Sequence, residues 1–157
     1  MNRAEALLAA ARAKGATIAT AESCTGGMIG AAITDVAGSS DIFDRGFVTY
    51  SNAAKEAMLG VRPGTLAAHG AVSEAVAREM AEGALRRSGA MLAVAVTGIA
   101  GPGGSEHKPE GRVCFGLARK GHPTVAETVE FGPRGRAAVR RATVDHALDL
   151  LLGALGG

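Results

Sequence analysis

The sequence predicts an α/β fold, a three-layer α/β/α sandwich around a mixed, mostly parallel sheet. Helical and β-prone segments alternate along the chain, as they do when helices connect the strands of a parallel sheet. Residues 91–96 form a continuous apolar run, which is typical of a central strand buried on both faces. Two further strand patterns near the C-terminus are separated by a short turn, and this hairpin makes the sheet mixed.

Each element is predicted from its periodicity and its boundary residues. Over residues 3–14, Leu7, Leu8 and Ala11 recur at helical spacing, and Gly15 ends the helix. Ser51 and Ser73 stand where helix N-caps are expected. The same signals predict strands over 17–21, 46–50, 91–96, 112–119 and 124–131, and helices over 28–36, 53–59, 65–69 (a single turn), 74–87 and 136–152. No repeat or linker interrupts this order, so a single domain over residues 1–157 is expected.

Charge and composition exclude several classes of protein. The net charge of +2 is too small to indicate a nucleic-acid partner, and a 3% aromatic content argues against base stacking. No apolar run reaches the ~20 residues of a membrane helix, and the N-terminus lacks a signal-peptide pattern. Cys24 and Cys114 have no metal or redox spacing, so a reduced, cytoplasmic protein is expected. A domain of this size with apolar helices is also expected to form a homodimer or a higher homo-oligomer.

Glycine, at 23 of 157 residues, is about twice as frequent as usual. Three glycine-bearing segments, 23–27, 38–40 and 97–104, are predicted to follow strands and therefore to meet at one edge of the sheet. The first opens a helix, whose N–H groups would favour a phosphate, a carboxylate or a developing oxyanion. The alternative is that Ser23 or Thr25 is only an N-cap and that the glycines only permit close packing.

The familiar catalytic signatures are absent from the sequence. It contains no phosphate-binding P-loop pattern, and no G-x-G-x-x-G follows the first strand. Ser23 lies in Glu-Ser-Cys-Thr-Gly and not in the G-x-S-x-G elbow of α/β-hydrolases. The four histidines have no metal-ligand spacing. Neither a metal nor a cofactor is therefore expected, and a nucleophilic serine would need a base other than histidine.

Lys55 is a candidate for that base, because a desolvated lysine has a lowered pKa and can take a proton from a serine. Tyr50, at the end of a predicted strand, could donate or relay a proton. The alternative is a solvated lysine and an edge tyrosine. Cys24 is a rival nucleophile beside Ser23, and Glu22 could orient Lys55 or a ligand hydroxyl.

Arginines at the start of the last helix are candidates for binding a substrate anion. Arg136 and Arg140, four residues apart, could clamp a phosphate, although a solvated basic face is an alternative.

Several motifs occur together in a fixed order. They are TAESCTGG at 20–27, GSS at 38–40, GFVTYSN at 46–52, Lys55, HGAVS at 69–73 and TGIAGP at 97–102. In this order they resemble the C-terminal domain family of the competence/damage-inducible protein CinA, whose stand-alone members are nicotinamide-nucleotide amidases. The resemblance extends over nearly the whole chain and implies the α/β/α fold. It also implies hydrolysis of nicotinamide mononucleotide to nicotinate mononucleotide and ammonia, in the recycling of pyridine nucleotides.

The resemblance also implies roles for individual residues. Ser23 would attack the carboxamide carbon, with Lys55 as general base and Tyr50 assisting the proton transfer. The expected substrate-binding residues share a glycine segment or the last helix: Thr25, Gly26, Gly27, Ser39, Ser40, Thr97, Gly98, Gly101 and Arg140. Backbone N–H groups of residues 25–27 or of Gly98 would stabilise the oxyanion, and which segment binds the phosphate stays open. The rival hypothesis is a non-catalytic module that binds a phosphorylated ligand or regulates competence or the response to DNA damage.

Overall fold

The computed structural model describes residues 1–156, and the last residue of the predicted 1–157 domain, Gly157, lies outside the described residues. The elements follow the predicted alternation of helices and strands. In chain order they are α1 (Arg3–Lys14), β1 (Ile18–Glu22), α2 (Met28–Thr34), a 3₁₀ turn (Ser39–Asp41), β2 (Phe43–Val48), α3 (Asn52–Leu59), α4 (Pro63–His69), α5 (Glu74–Arg86), β3 (Leu92–Gly98), β4 (Arg112–Arg119), β5 (Val125–Glu130) and α6 (Arg136–Ala154).

The strands form one five-stranded sheet in the order β2-β1-β3-β4-β5. Strand β1 pairs in parallel with β2 and β3, whereas the β3–β4 and β4–β5 pairs are antiparallel. The predicted mixed α/β/α architecture is therefore confirmed, and four of the five strands run in the same direction. Because β1, β2 and β3 are parallel, the loops that follow them meet at one edge of the sheet.

The two faces of the sheet are covered by different helices, and the side chains of β3 show the difference. Leu92, Val94 and Val96 join the apolar cluster of α1, α2 and α6, while Ala93 and Ala95 join that of α3 and α5. The small residues allow α5 to lie close to the sheet. Gly116 of β4 illustrates this contact, since a Cβ there would collide with a carbonyl oxygen of α5.

Most differences between the predicted and the observed element boundaries cover only a few residues. Strand β2 begins at Phe43 and ends at Val48, so Tyr50 lies two residues beyond the strand and not at its end. Helix α4 covers seven residues and begins at Pro63, earlier than predicted. The fixed φ of proline suits the first helical position, where the missing N–H needs no partner. None of the helices within residues 1–156 is long and apolar enough to cross a membrane.

Candidate active site

Ser23 is the first residue after β1, and the strand edge fixes its position. Its N–H donates to Val96 O of β3 at 3.1 Å, so the central strand pair extends to this residue. Its Oγ accepts a hydrogen bond from Lys55 Nζ at 3.1 Å. Ser23 is 7% exposed and Lys55 is 1% exposed. The two side chains predicted to form the nucleophile–base pair are therefore in direct contact.

Lys55 projects from the first turn of α3, which Ser51 caps by accepting a hydrogen bond from Ala54 N at 3.0 Å. The ammonium also donates to Tyr50 O at 3.2 Å. Burial lowers the pKa of Lys55 below that of an ordinary lysine, while the negative charge of Glu106 acts in the opposite direction. This environment favours the neutral amine that a general base requires.

Glu22 does not orient Lys55, as the sequence had suggested it could. Its buried carboxylate accepts hydrogen bonds from Thr25 Oγ1, Gly27 N, Ile29 N and Gly30 N. These N–H groups belong to the N-terminus of α2, whose positive end is stabilised by an anion. The anion expected at this helix end is therefore the Glu22 carboxylate and not a bound ligand.

The expected anion-binding role of residues 25–27 changes accordingly. Gly26 N donates to Ser23 O at 3.1 Å, and Gly27 N to Glu22, so neither N–H group is available to a substrate. The Cys24 and Thr25 N–H groups, in contrast, donate to no other residue within 1–156. Both N–H groups directly follow Ser23 in the chain, and they are better candidates for oxyanion donors than those of Gly26 and Gly27.

Arg140 lies behind the same loop and not in the cavity. Its Nε donates to Cys24 O at 3.0 Å and its guanidinium also donates to Thr25 O at 3.3 Å. In a trans peptide, C=O and N–H point in opposite directions. By holding Cys24 O, Arg140 fixes the direction of the Thr25 N–H.

Cys24 lines the cavity beside Ser23 but is a poor rival nucleophile. It is 5% exposed, and burial raises the pKa of its thiol to about 11. The thiol therefore stays protonated near neutral pH, and a protonated thiol is a weak nucleophile.

A cavity of about 300 Å³ opens in front of Ser23 and Lys55. Thr97, Gly98 and Gly101 line it, as the sequence predicted for the segment after β3. Thr97 Oγ1 donates to Ala71 O at 2.9 Å and ties β3 to the segment before α5. Tyr50 also lines the cavity, but its hydroxyl accepts a hydrogen bond from Arg136 at 3.1 Å, and Arg136 donates in addition to Gly101 O at 2.7 Å.

The structure does not bring Ser39 and Ser40 to this site. They form the 3₁₀ turn that precedes β2, so they lie at the amino edge of the sheet, opposite the cavity. There Arg12, at the end of α1, donates to Asp41 and to Gly38 O. The prediction that segment 38–40 follows a strand was wrong: the segment follows helix α2 and precedes β2.

Sequence reasoning missed Asn52 and Glu106, which also line the cavity. Asn52 was noted as the last residue of the GFVTYSN motif, and Glu106, in the loop after β3, was not singled out. Its place in the loop after β3 was the available signal. Within residues 1–156, no group of three His, Cys, Asp or Glu side chains is arranged to hold a metal ion.

The model of the CinA C-terminal domain family matches residues 1–155. The chain belongs to this family. The nicotinamide-nucleotide amidohydrolase PncC of Escherichia coli K12 is 53% identical over 152 residues, which is 96% of this chain and 92% of that protein. PncC of Enterobacter agglomerans is 57% identical over 145 residues, 92% of this chain and 88% of the relative.

Other relatives are much longer than this chain. A CinA-like protein of Chlorobium phaeobacteroides is 60% identical over 125 residues, which is 78% of this chain but only 30% of the relative. Among solved structures, the competence/damage-inducible protein CihA of Agrobacterium tumefaciens has a TM-score of 0.94 and 48% identity, covering 99% of this chain and 94% of that one.

Proposed function

We propose that this chain hydrolyses the carboxamide of nicotinamide mononucleotide to nicotinate mononucleotide and ammonia, with Ser23 as nucleophile and Lys55 as base. The observation that carries the proposal is the 3.1 Å contact between Lys55 Nζ and Ser23 Oγ at the wall of a cavity. The relatives named nicotinamide-nucleotide amidohydrolase support the substrate class.

In the acylation step, neutral Lys55 takes the hydroxyl proton of Ser23, and Oγ bonds to the carboxamide carbon. The carbonyl electron pair moves to the oxygen, which the free N–H groups of Cys24 and Thr25 would stabilise. As the intermediate collapses, the C–N bond breaks and the proton on Lys55 passes to the leaving nitrogen, which departs as ammonia. A water molecule then attacks the ester with Lys55 again as base, and the carboxylate product is released.

The binding residues are proposed from their positions at the cavity. Thr97, Gly98 and Gly101 form its wall, and Arg136, which lines the cavity, would bind the substrate phosphate. The sequence had offered both Arg136 and Arg140 for this role, with Arg140 as the expected binding residue, but Arg140 is bonded to Cys24 O. Residues 25–27 shape the nucleophile loop. Tyr50 as a proton-transfer group stays a prediction, since its hydroxyl is bound to Arg136.

The test is ammonia release from nicotinamide mononucleotide by chelator-treated protein, with Ser23→Ala measured alongside. We expect activity in the treated wild type and a loss of at least about a thousandfold in the variant, because the nucleophile is removed. Ammonia release by Ser23→Ala at the wild-type rate would contradict the proposed nucleophile.

A folded wild type that releases no ammonia would favour the non-catalytic binding module. In that case Ser23→Ala and Lys55→Met should bind the nucleotide as the wild type does, because a binding module needs neither a nucleophile nor a base.

A further inference from the structure

The cavity wall carries one carboxylate that the proposed mechanism does not use. Its charged lining residues within the described chain are Lys55, Arg136 and Glu106. Arg136 is bound to Tyr50 and Gly101, and Lys55 to Ser23 and Tyr50. The Glu106 carboxylate, in contrast, has no hydrogen bond or ion pair with any residue in 1–156.

The backbone holds Glu106 at the cavity in a conformation that few side chains adopt. Glu106 and His107 have φ of 52° and 63°, between the bridged residues Ser105 and Lys108. A two-residue turn with positive φ at both positions normally contains Asn or Gly, and histidine tolerates this conformation better than glutamate, so Glu106 is the strained residue. Strain of this kind is characteristic of residues kept in place for function.

Lys108 anchors this turn against the other wall of the cavity. Its Nζ donates to His69 O at 2.7 Å and to Val72 O at 2.6 Å. The Glu106 carboxylate lies against the backbone of Gly70, where a Cβ would collide with it. The carboxylate therefore stands at the exposed rim of the cavity, beside Gly70 and the turn that Lys108 anchors.

We infer that Glu106 is a specificity-determining residue that selects substrates whose carboxamide is attached to a cationic aromatic ring. This inference rests on the proposed function, in which the carboxamide binds at Ser23. The pyridinium ring of nicotinamide mononucleotide carries a positive charge, and its reduced 1,4-dihydro form has a neutral ring. Among the residues lining the cavity, Glu106 alone has a negative charge to offset that cation.

Two further observations support this assignment. The charge of Glu106 influences Lys55, whose amine contacts the nucleophile, so it also reaches a ring attached to the reacting carbon. An aromatic cage, the other common way to bind an organic cation, requires several aromatic rings. Tyr50 is the one aromatic residue among those that line the cavity.

The test measures binding by calorimetry in the inactive Ser23→Ala protein, using nicotinamide mononucleotide and its 1,4-dihydro form. We expect the Ser23→Ala protein to prefer the cationic ligand. Adding Glu106→Gln should weaken binding of the cationic form about tenfold, the size of a partly screened charge pair, and change that of the neutral form little. Glu106→Asp should retain most of the preference because it keeps the charge.

Glu56→Gln is the matched control, since Glu56 follows Lys55 on α3 but does not line the cavity. It removes the same charge and should leave both affinities unchanged. Equal weakening of both ligands by Glu106→Gln, an unchanged preference, or no binding of either ligand would overturn the inference. Ammonia release is measured separately with Ser23 intact, so a preference for the cation without turnover would remove the proposed function and leave Glu106 as a determinant of ligand binding only.

Discussion

Two glycine-rich loops meet at the carboxyl edge of the sheet, and they use their polar groups in different ways. The nucleophile loop, residues 23–27 after β1, has its glycine N–H groups bonded to Ser23 O and Glu22. In the glycine–proline loop, residues 99–111 after β3, the N–H groups of Ala100 and Gly101 donate to no residue within 1–156. The loop also contributes much of the cavity wall, including the unbonded carboxylate of Glu106.

This difference shows that similar glycine composition serves two purposes. In the nucleophile loop, positive φ of 59° and 109° at Gly26 and Gly27 lets the chain turn tightly onto its own carboxylate. The loop therefore fixes Ser23 before any substrate arrives. The glycine–proline loop leaves the N–H groups of Ala100 and Gly101 unbonded at the cavity, where the proposed function needs donors for a ligand.

The largest expected effect comes from removing the base that serves the nucleophile loop. Lys55→Arg keeps a positive charge but cannot deprotonate, so kcat/KM should fall at least about a hundredfold. In the wild type, kcat/KM should rise with pH as Lys55 loses its proton, with the midpoint of the rise below the pKa of an ordinary lysine, because burial lowers the pKa of Lys55. The measurement is the pH dependence of ammonia release.

Lys108→Arg in the glycine–proline loop is the matched control, because Lys108 only donates to carbonyl groups. It should keep the rise in activity with pH. If Lys55→Arg retained the same rise, a group other than Lys55 would be the base.

Glu22, just before the nucleophile loop, and Glu110, in the glycine–proline loop, should contribute very differently to the free energy of unfolding. Glu22→Gln leaves four donors facing an amide, so the free energy of unfolding should fall by about 2–3 kcal/mol. Glu110→Gln in the glycine–proline loop affects one exposed bond, from Gly103 N, and should cost about 0.5 kcal/mol or less. Denaturant titration of both variants measures the difference, and equal losses would mean that Glu22 does not hold α2 in the way described.

The fold was predictable because its signals are local. Alternating elements, the apolar β3 and the C-terminal hairpin each follow from periodicity and turn residues over a few positions. The Ser23–Lys55 pair was also predicted, because Ser23 follows β1 directly and Lys55 lies on the helix after β2, which runs parallel to β1.

The partners of long polar side chains were not predictable in the same way. Whether Glu22 binds Lys55 or the N-terminus of α2, and whether Arg140 reaches a phosphate or Cys24 O, depends on packing between distant elements. Ser39 and Ser40 were misplaced for a different reason. Segment 38–40 lies between the helix predicted over 28–36 and the strand predicted over 46–50, so the predicted order itself placed it before a strand, as the structure does.

The smallest effect should come from loosening the support of the nucleophile loop without touching the substrate. Arg140→Gln removes the donors to Cys24 O and Thr25 O, so the Thr25 N–H, one of the two proposed oxyanion donors, loses its fixed direction. We expect kcat to fall about tenfold with KM and unfolding free energy nearly unchanged, and Arg140→Lys to recover part of the loss. Arg136→Gln, which changes the cavity wall, should instead raise KM for the nucleotide. A rise in KM as the main effect of Arg140→Gln would mean that Arg140 binds substrate, as the sequence alone had suggested.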